Sequence, residues 1–145
     1  FESSVLDWSA RLHEIGLDIS HDGYQRHGAY IAEHADMPGF PRAEQRYLAY
    51  LIGSQRHRLD AAQVRALPEA WRESALRLAI LLRLAVLLNR SRKSEAAPVP
   101  KLGVTSTTLT LEFDQQWLLD NPLTVADLER ERGYLLSAGY ELRFA

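Results

Sequence analysis

The sequence has no cysteine and a single methionine. The absence of cysteine excludes a disulfide framework, thiolate catalysis and cysteine-ligated zinc, and it fits a reducing compartment. We therefore expect a cytoplasmic location, with peripheral association at a membrane as the alternative. The one methionine is Met37, and the chain begins at Phe1. From these two observations we expect the chain to be a piece of a longer protein.

A long hydrophobic segment is also lacking. The longest apolar run, from Ala75 to Leu88, is interrupted by Arg77 and Arg83 and is shorter than the roughly 20 apolar residues that a membrane-spanning helix needs. We therefore predict a buried helix here and no transmembrane segment. With 145 residues, of which 46% are hydrophobic and 25% charged, the composition is that of a compact domain with a small appendage.

The charge is unevenly distributed along the chain. Residues 42 to 93 contain eleven Lys or Arg and four acidic residues, so this segment carries +7, whereas the remainder carries −9. A basic segment between acidic ones can attract a polyanion, although solvated helix faces produce the same pattern. On charge alone we favour the solvated helix faces.

The first 90 residues show apolar residues at helical spacing. A first helix is expected to begin at Ser3 or Ser4 as the capping residue and to end near residue 15, where Gly16 would stop it. Further helices are predicted at 23–35 and 41–58, then a short one after Asp60, and a long one from Pro68 to about residue 91. The predicted apolar face of the third helix consists of Tyr47, Leu48, Leu51 and Ile52.

The last 45 residues have a different pattern. After a predicted linker at 94–100, Leu109, Leu111 and Phe113 alternate with polar residues, which predicts a strand. Asp114 is expected to cap a brief helix that Pro122 ends. Next, we predict a helix whose capping box is formed by Thr124 and Asp127, and then a strand at 140–144. The predicted fold class is therefore mainly α, a helical domain at 1–95 followed by a small βαβ subdomain at 101–145.

Four of the five histidines lie within residues 12 to 34. His13, Glu14, His21 and His27 could together supply the three or four ligands that a divalent metal needs. The alternative is that these side chains are partly buried or helix-end polar groups that bind no ligand. We favour that alternative, because a histidine cluster in a single sequence is weak evidence for a metal site.

Several short segments resemble a known family. They are LHEIGL at 12–17, SHDGY at 20–24, HGAYI at 27–31, DMPGF at 36–40 and RLAVLLN at 83–89. Together they resemble the C-terminal region of the exopolyphosphatase and guanosine pentaphosphate phosphohydrolase family, most closely the bacterial exopolyphosphatases. The resemblance runs through most of the chain, including residues 127–129 and 134–135 of the tail.

This resemblance implies a parent enzyme with two actin-like catalytic domains upstream. There a water molecule, assisted by Mg²⁺ and an upstream carboxylate base, would attack a terminal phosphate. The present chain would hold no catalytic residue, no metal and no cofactor of its own. It would correspond to the helical third domain, related to HD-domain phosphohydrolases and without its first helices, and to the small fourth domain. The implied partners are inorganic polyphosphate, the upstream catalytic domains and a second copy of the chain, and nucleic acid is not expected as the main ligand.

The relation to HD enzymes also implies which metal ligands have been lost. His13 and Glu14 occupy the place of the His-Asp pair, and His27 resembles a downstream histidine. Gln55 lies in the region of a later histidine pair, and Val86 where a late aspartate is expected. A neutral amide and a valine are poor cation ligands, so we predict a degenerate metal site whose surroundings suit an anion.

The leading functional hypothesis is an accessory region of an exopolyphosphatase that binds the polyphosphate chain and supports dimerisation. The first alternative is the same region of a guanosine pentaphosphate phosphohydrolase. A purely structural dimerisation module is the second, and an active HD phosphohydrolase ranks last. The residues predicted to bind polyphosphate are His21, Arg26, His27, Arg56, His57 and Arg58.

Overall fold

The computed structural model describes residues 1–90 and 98–145, so most of the predicted linker at 94–100 lies outside the described residues. The chain divides into two compact units, Phe1–Arg83 and Leu84–Ala145. The helices are α1 Glu2–Leu12, α2 Tyr24–His34, α3 Arg42–Gly53, α4 Glu69–Leu88, α5 Gln115–Asp120 and α6 Pro122–Ser137, with 3₁₀ helices at Ile15–Asp18 and Ala61–Ala66. The strands are β1 Lys101–Thr105, β2 Thr108–Glu112 and β3 Glu141–Phe144. The prediction of a mainly helical protein is confirmed, and none of the helices in the described ranges is long and apolar enough to cross a membrane.

The core of the first unit is built on α3. The four residues predicted to form its apolar face are all fully buried, which confirms that part of the pattern. The Gln45 side chain near the start of α3 donates hydrogen bonds to the backbone carbonyls of Ala32 and Ala35 at 3.2 and 2.8 Å. These bonds satisfy carbonyls at the end of α2 that the helix itself leaves unpaired, and they join the end of α2 to the beginning of α3.

The beginning and end of α1 differ from the prediction. Its N-cap is Phe1, without a side-chain hydrogen bond, so neither Ser3 nor Ser4 caps it. The helix ends at Leu12, and Gly16 lies in the following 3₁₀ helix instead of stopping α1. A Cβ at Gly16 would lie 1.9 Å from the backbone oxygen of Tyr24. Glycine is required here because the backbone of α2 approaches it closely.

We therefore predict that Gly16→Ala lowers the free energy of unfolding by about 2–4 kcal/mol, because a backbone carbonyl must move to admit the methyl group. The matched control is Gly133→Ala in α6, where an added Cβ meets nothing within 4 Å. That variant should be neutral or more stable by about 0.5–1 kcal/mol. Denaturant unfolding measures both effects, and similar values for the two variants would contradict the explanation.

The second unit contains a three-stranded sheet with the order β1-β2-β3. β2 and β3 are parallel, with Leu109 opposite Leu142 and Leu111 opposite Phe144, and α5 and α6 lie between them in the chain. This is the predicted βαβ arrangement. β1, however, was not predicted: it pairs antiparallel with β2, so the subdomain is ββαβ. All five of its residues are exposed, although Leu102 and Val104 alternate with Lys101, Gly103 and Thr105 in the sequence.

The structure confirms some of the predicted helix caps and contradicts others. Asp60 and Asp114 each accept a hydrogen bond from a backbone N–H two residues later, at 2.9 Å, as expected of capping residues. Pro122, predicted to end α5, is instead the first residue of α6. Asn121 therefore precedes the helix, and the predicted capping box of Thr124 and Asp127 is wrong, because proline is well suited to the first helical position.

Burial raises the pKa of Tyr50 in α3 to about 12. The neutral phenol therefore stabilises the folded chain fully below the ordinary pKa of about 10, and this contribution is lost as the pH rises toward 12. Between pH 9 and pH 11 we expect the native protein to lose about 1 kcal/mol more unfolding free energy than the Tyr50→Phe variant. Denaturant unfolding at the two pH values measures this difference, and parallel losses would contradict the expected pKa.

Candidate functional site

The ring of Tyr24 brings together two parts of the predicted phosphate-binding set. Tyr24 is the first residue of α2 and is only 8% exposed. The guanidinium carbon of Arg56 lies 4.8 Å from the centre of its ring, and the His21 ring lies 6.0 Å away. A guanidinium at this distance is held by a cation–π interaction. His21 and Arg56 therefore both lie beside the Tyr24 ring, although 35 positions separate them in the sequence.

Arg26 and His27 follow in the first turn of α2. Arg26 is exposed, and its guanidinium folds back over Gly23, where an added Cβ would lie 2.8 Å from Nη2. His27 is half-buried, and its Nε2 lies 3.1 Å from the backbone oxygen of Asp22. With its proton on Nε2, the ring donates to that carbonyl and leaves Nδ1 to other partners.

Arg56, His57 and Arg58 lie in a loop rather than at the end of a helix. α3 was predicted to reach residue 58, but it ends at Gly53. The Arg83 side chain donates to the backbone oxygens of Ser54, at 2.6 Å, and of His57. His57 has φ 63°, a left-handed conformation that ends a helix. The prediction that α3 reaches residue 58 is therefore wrong, because carbonyls of this loop accept hydrogen bonds from Arg83. In the loop, His57 and Arg58 are exposed and Arg56 is half-buried.

Gln55 has a structural role that the sequence did not reveal. It is 1% exposed, and its Nε2 donates to the backbone oxygen of Ile52 at 3.0 Å and to that of His13. The amide thus ties the loop after α3 to the end of α1. A histidine or a carboxylate at this position would not provide the same pair of donated hydrogen bonds. Its Oε1 is buried without a hydrogen-bond partner in the described part of the chain.

The remaining positions of the predicted degenerate HD site do not form a ligand cluster. His13 lies beside Glu14, with 3.7 Å between Nε2 and Oε1, and its Nδ1 lies within hydrogen-bond distance of the Ala10 oxygen. Val86 lies half-buried on α4. Across residues 1–90 and 98–145, no three His, Asp or Glu side chains are placed to hold a metal ion.

Two residues of this site were missed in the sequence analysis. Tyr24 entered the sequence analysis only as part of the segment SHDGY at 20–24, and nothing local in the sequence indicates a cation on its ring. Arg83 did leave a signal, because it interrupts the most apolar segment of the chain. Arg77 interrupts the same segment but is exposed, whereas a buried arginine such as Arg83 needs a specific set of acceptors, since an unpaired buried charge is unstable.

Comparison with known proteins identifies the family. The family model described as Ppx/GppA phosphatase, domain III, matches residues 2–132. The chain belongs to the Ppx/GppA phosphatase family. This confirms the resemblance found in the sequence and means that the family to which the chain belongs is hydrolytic.

Relatives from the genus Vibrio carry the name guanosine-5'-triphosphate,3'-diphosphate pyrophosphatase. The chain is 38% identical to that of Vibrio cholerae serotype O1 over 141 residues, which is 95% of this chain and 27% of the relative. It is 39% identical to that of Vibrio vulnificus, with the same coverage. The chain thus spans about a quarter of the length of the curated relatives that it matches.

The role of Arg83 can be tested with Arg83→Lys, which keeps the charge but loses the planar fork that reaches two carbonyls. We expect a loss of about 2–3 kcal/mol in unfolding free energy and faster amide hydrogen exchange in residues 54–58. The control is Arg77→Lys on the same helix, whose exposed ion pair with Glu73 should contribute less than about 0.5 kcal/mol. Unchanged exchange in residues 54–58 of Arg83→Lys would contradict this role.

Proposed function

We propose that this chain is an accessory domain of a Ppx/GppA-family phosphatase and that it binds the phosphate groups of the substrate. The observation that carries the proposal is the meeting of His21 and Arg56 at the Tyr24 ring. We call this surface the Tyr24 face, and it consists of Tyr24 and the six residues predicted to bind polyphosphate. Its cations come from two separate segments, 21–27 and 56–58, and extend over more than one binding position.

The chemistry of the Tyr24 face suits phosphate. Guanidinium groups form charge-assisted, often bidentate, hydrogen bonds with phosphate oxygens. The Arg56 guanidinium is oriented by the Tyr24 ring, so less conformational freedom is lost when a phosphate binds. Asp22 is the one acid in the segment 21–27 and opposes an anionic ligand. A polyanion held mainly by charge should bind more weakly as salt increases.

Inorganic polyphosphate is the ligand that this open surface fits best. It carries about one charge per phosphate along an extended chain, so several cations can be engaged at once, as on a nucleic acid backbone. The second candidate is guanosine-5'-triphosphate,3'-diphosphate, which the names of the Vibrio relatives favour. That compound also presents two groups of linked phosphates, and the same cations would serve it.

Hydrolysis would take place in the rest of the parent protein. The described residues of this chain do not fit a Mg²⁺ site, since their carboxylates do not converge on one point. We propose that Mg²⁺-assisted attack by water belongs to upstream catalytic domains. The same proposal includes dimerisation, docking on the catalytic domains, a domain boundary at residues 95–101 and a cytoplasmic location.

The helical unit is proposed to descend from an HD-type metal domain. In this interpretation His13 and Glu14 are remnants of a metal-binding pair. Gln55 has replaced a ligand with an amide that joins two backbone segments, and Val86 has replaced a carboxylate. The change from ligand to backbone tie supports the proposal, because Gln55 serves the folded chain and no longer a metal.

The phosphate-binding role is tested by titrating the intact natural protein with long-chain polyphosphate at several salt concentrations. Arg56→Ala combined with Arg58→Ala should weaken binding at least tenfold and should reduce the slope of log K against log salt by about 2. Asp22→Asn should strengthen binding, because an opposing charge is removed. Arg77→Ala, an exposed arginine outside the Tyr24 face, serves as the control.

The competing interpretations give different results. Salt-insensitive binding, or an equal effect of Arg77→Ala and the double variant, would mean that this domain is structural. Turnover of guanosine-5'-triphosphate,3'-diphosphate without turnover of polyphosphate would select the second candidate substrate. Stoichiometric divalent metal in the purified protein, with phosphatase activity lost in His13→Ala, would overturn the proposal in favour of an active HD enzyme.

A further inference from the structure

A second concave site lies in the first unit, away from the Tyr24 face. It is a cleft of about 360 Å³ between α2, α3 and the 3₁₀ helix Ala61–Ala66. Small apolar residues form much of its wall, including Ala29, Ala49 and Ala66. None of the residues of the Tyr24 face lines it. The cleft therefore has its own chemistry, which the phosphate-binding role does not explain.

Two opposite charges line this cleft, Glu33 on α2 and Arg46 on α3. Arg42 at the start of α3 donates to the backbone oxygen of Glu33 at 3.3 Å, which places the start of α3 beside the end of α2. At the other end, an added Cβ on Gly53 would lie 3.1 Å from the Cβ of Ala29. Glu33 and Arg46 consequently lie toward one end of the cleft, and Ala29 and Gly53 toward the other.

In the described ranges neither the Glu33 carboxylate nor the Arg46 guanidinium forms an ion pair. A ligand that offers one positive and one negative group close together could neutralise both. A polyanion such as a phosphate chain fits poorly, because Glu33 would repel it.

Tyr50 on α3 also lines the cleft. Tyr50 follows Arg46 by four residues on α3, so the two side chains are neighbours on one helix face. Tyr50 is 8% exposed, and its hydroxyl is buried without a hydrogen-bond partner in the described part of the chain. The Ser54 side chain nevertheless lies close enough to this hydroxyl to act on it as a hydrogen-bonding group, which lowers the pKa of the phenol. Tyr50 therefore forms part of the cleft wall next to Arg46.

We propose that this cleft binds a free α-amino acid with an uncharged side chain. The ammonium group pairs with Glu33 and the carboxylate with Arg46, while the side chain lies toward the small residues around Ala29 and Gly53. An α-amino acid carries its two charges on one carbon, which matches charges at one end of the cleft. Its apolar side chain matches the apolar wall at the other end.

The test is isothermal titration of the intact natural protein with L-leucine and two analogues, isoamylamine and 4-methylpentanoate. The first analogue lacks the carboxylate and the second lacks the ammonium group. We expect L-leucine to bind with a Kd of about 1 mM or tighter and the analogues to bind at least tenfold more weakly. Arg46→Gln and Glu33→Gln should each weaken L-leucine binding about tenfold or more, because each removes one charge-assisted pair.

Two controls keep the result specific. Arg130→Gln changes an exposed arginine of α6, outside the cleft, and should leave binding unchanged. Ala66→Leu, at an exposed position in the cleft wall, should block the site without unfolding the chain. No binding of L-leucine at 10 mM, equal binding of either analogue, or binding that survives both charge substitutions would overturn the proposal. Because polyphosphate binding is measured separately, failure here leaves the proposed function standing, and the reverse also holds.

Discussion

The hydrogen bonds from Arg83 to the loop after α3 are the interaction on which the candidate site depends. A buried guanidinium is unstable unless acceptors surround it, and here backbone carbonyls of Ser54 and His57 provide them. Those carbonyls would otherwise continue the helical pattern or face water. By binding them, Arg83 ends α3 and turns the chain so that Arg56 reaches the Tyr24 ring and Gln55 reaches α1. The Arg83 side chain thus determines where Arg56 and Gln55 lie, although these two residues make different contacts.

Gln55 and Arg83 also join elements of the first unit. In some domains a bound metal ion joins several elements through its ligands. Here two donor side chains bond to backbone oxygens and join α1, α4 and the loop after α3 directly. The amide and the guanidinium donate protons at these contacts, whereas a metal ligand donates an electron pair to a cation. A hydrogen bond from Gln55 thus holds the end of α1 at His13 to the loop after α3.

Sequence reasoning succeeded where a single local rule determines the structure. The apolar face of α3 and the Asp60 and Asp114 caps each depend on residues within one or two turns. It failed where a distant part of the chain decides. The end of α3 depends on Arg83, 30 positions after Gly53, and Gly16 responds to the backbone of Tyr24. β1 was missed for a different reason: only two apolar residues, Leu102 and Val104, mark the segment, and all five of its side chains are exposed.

The candidate site shows the same limit. Its residue types could be read from the sequence, since arginines and histidines gather in two segments. Their meeting could not, because it requires the Tyr24 ring to lie between segments that are distant in the chain. The family comparison located the domain, but it did not place the Arg56 guanidinium over that ring. Only the structure shows that the Arg56 guanidinium lies over the Tyr24 ring.

The parallel pairing of β2 with β3 has a consequence for the order of folding. The β1–β2 hairpin needs only neighbouring residues, so it can form within microseconds of its synthesis. The register that sets Thr108 opposite Glu141 cannot form until α5 and α6 have been made and folded back. During that interval β2 has a free edge, with Leu109 and Leu111 uncovered. During synthesis on the ribosome, this subdomain is therefore first present as an open hairpin, whose unpaired strand edge is available to chaperones and to other chains.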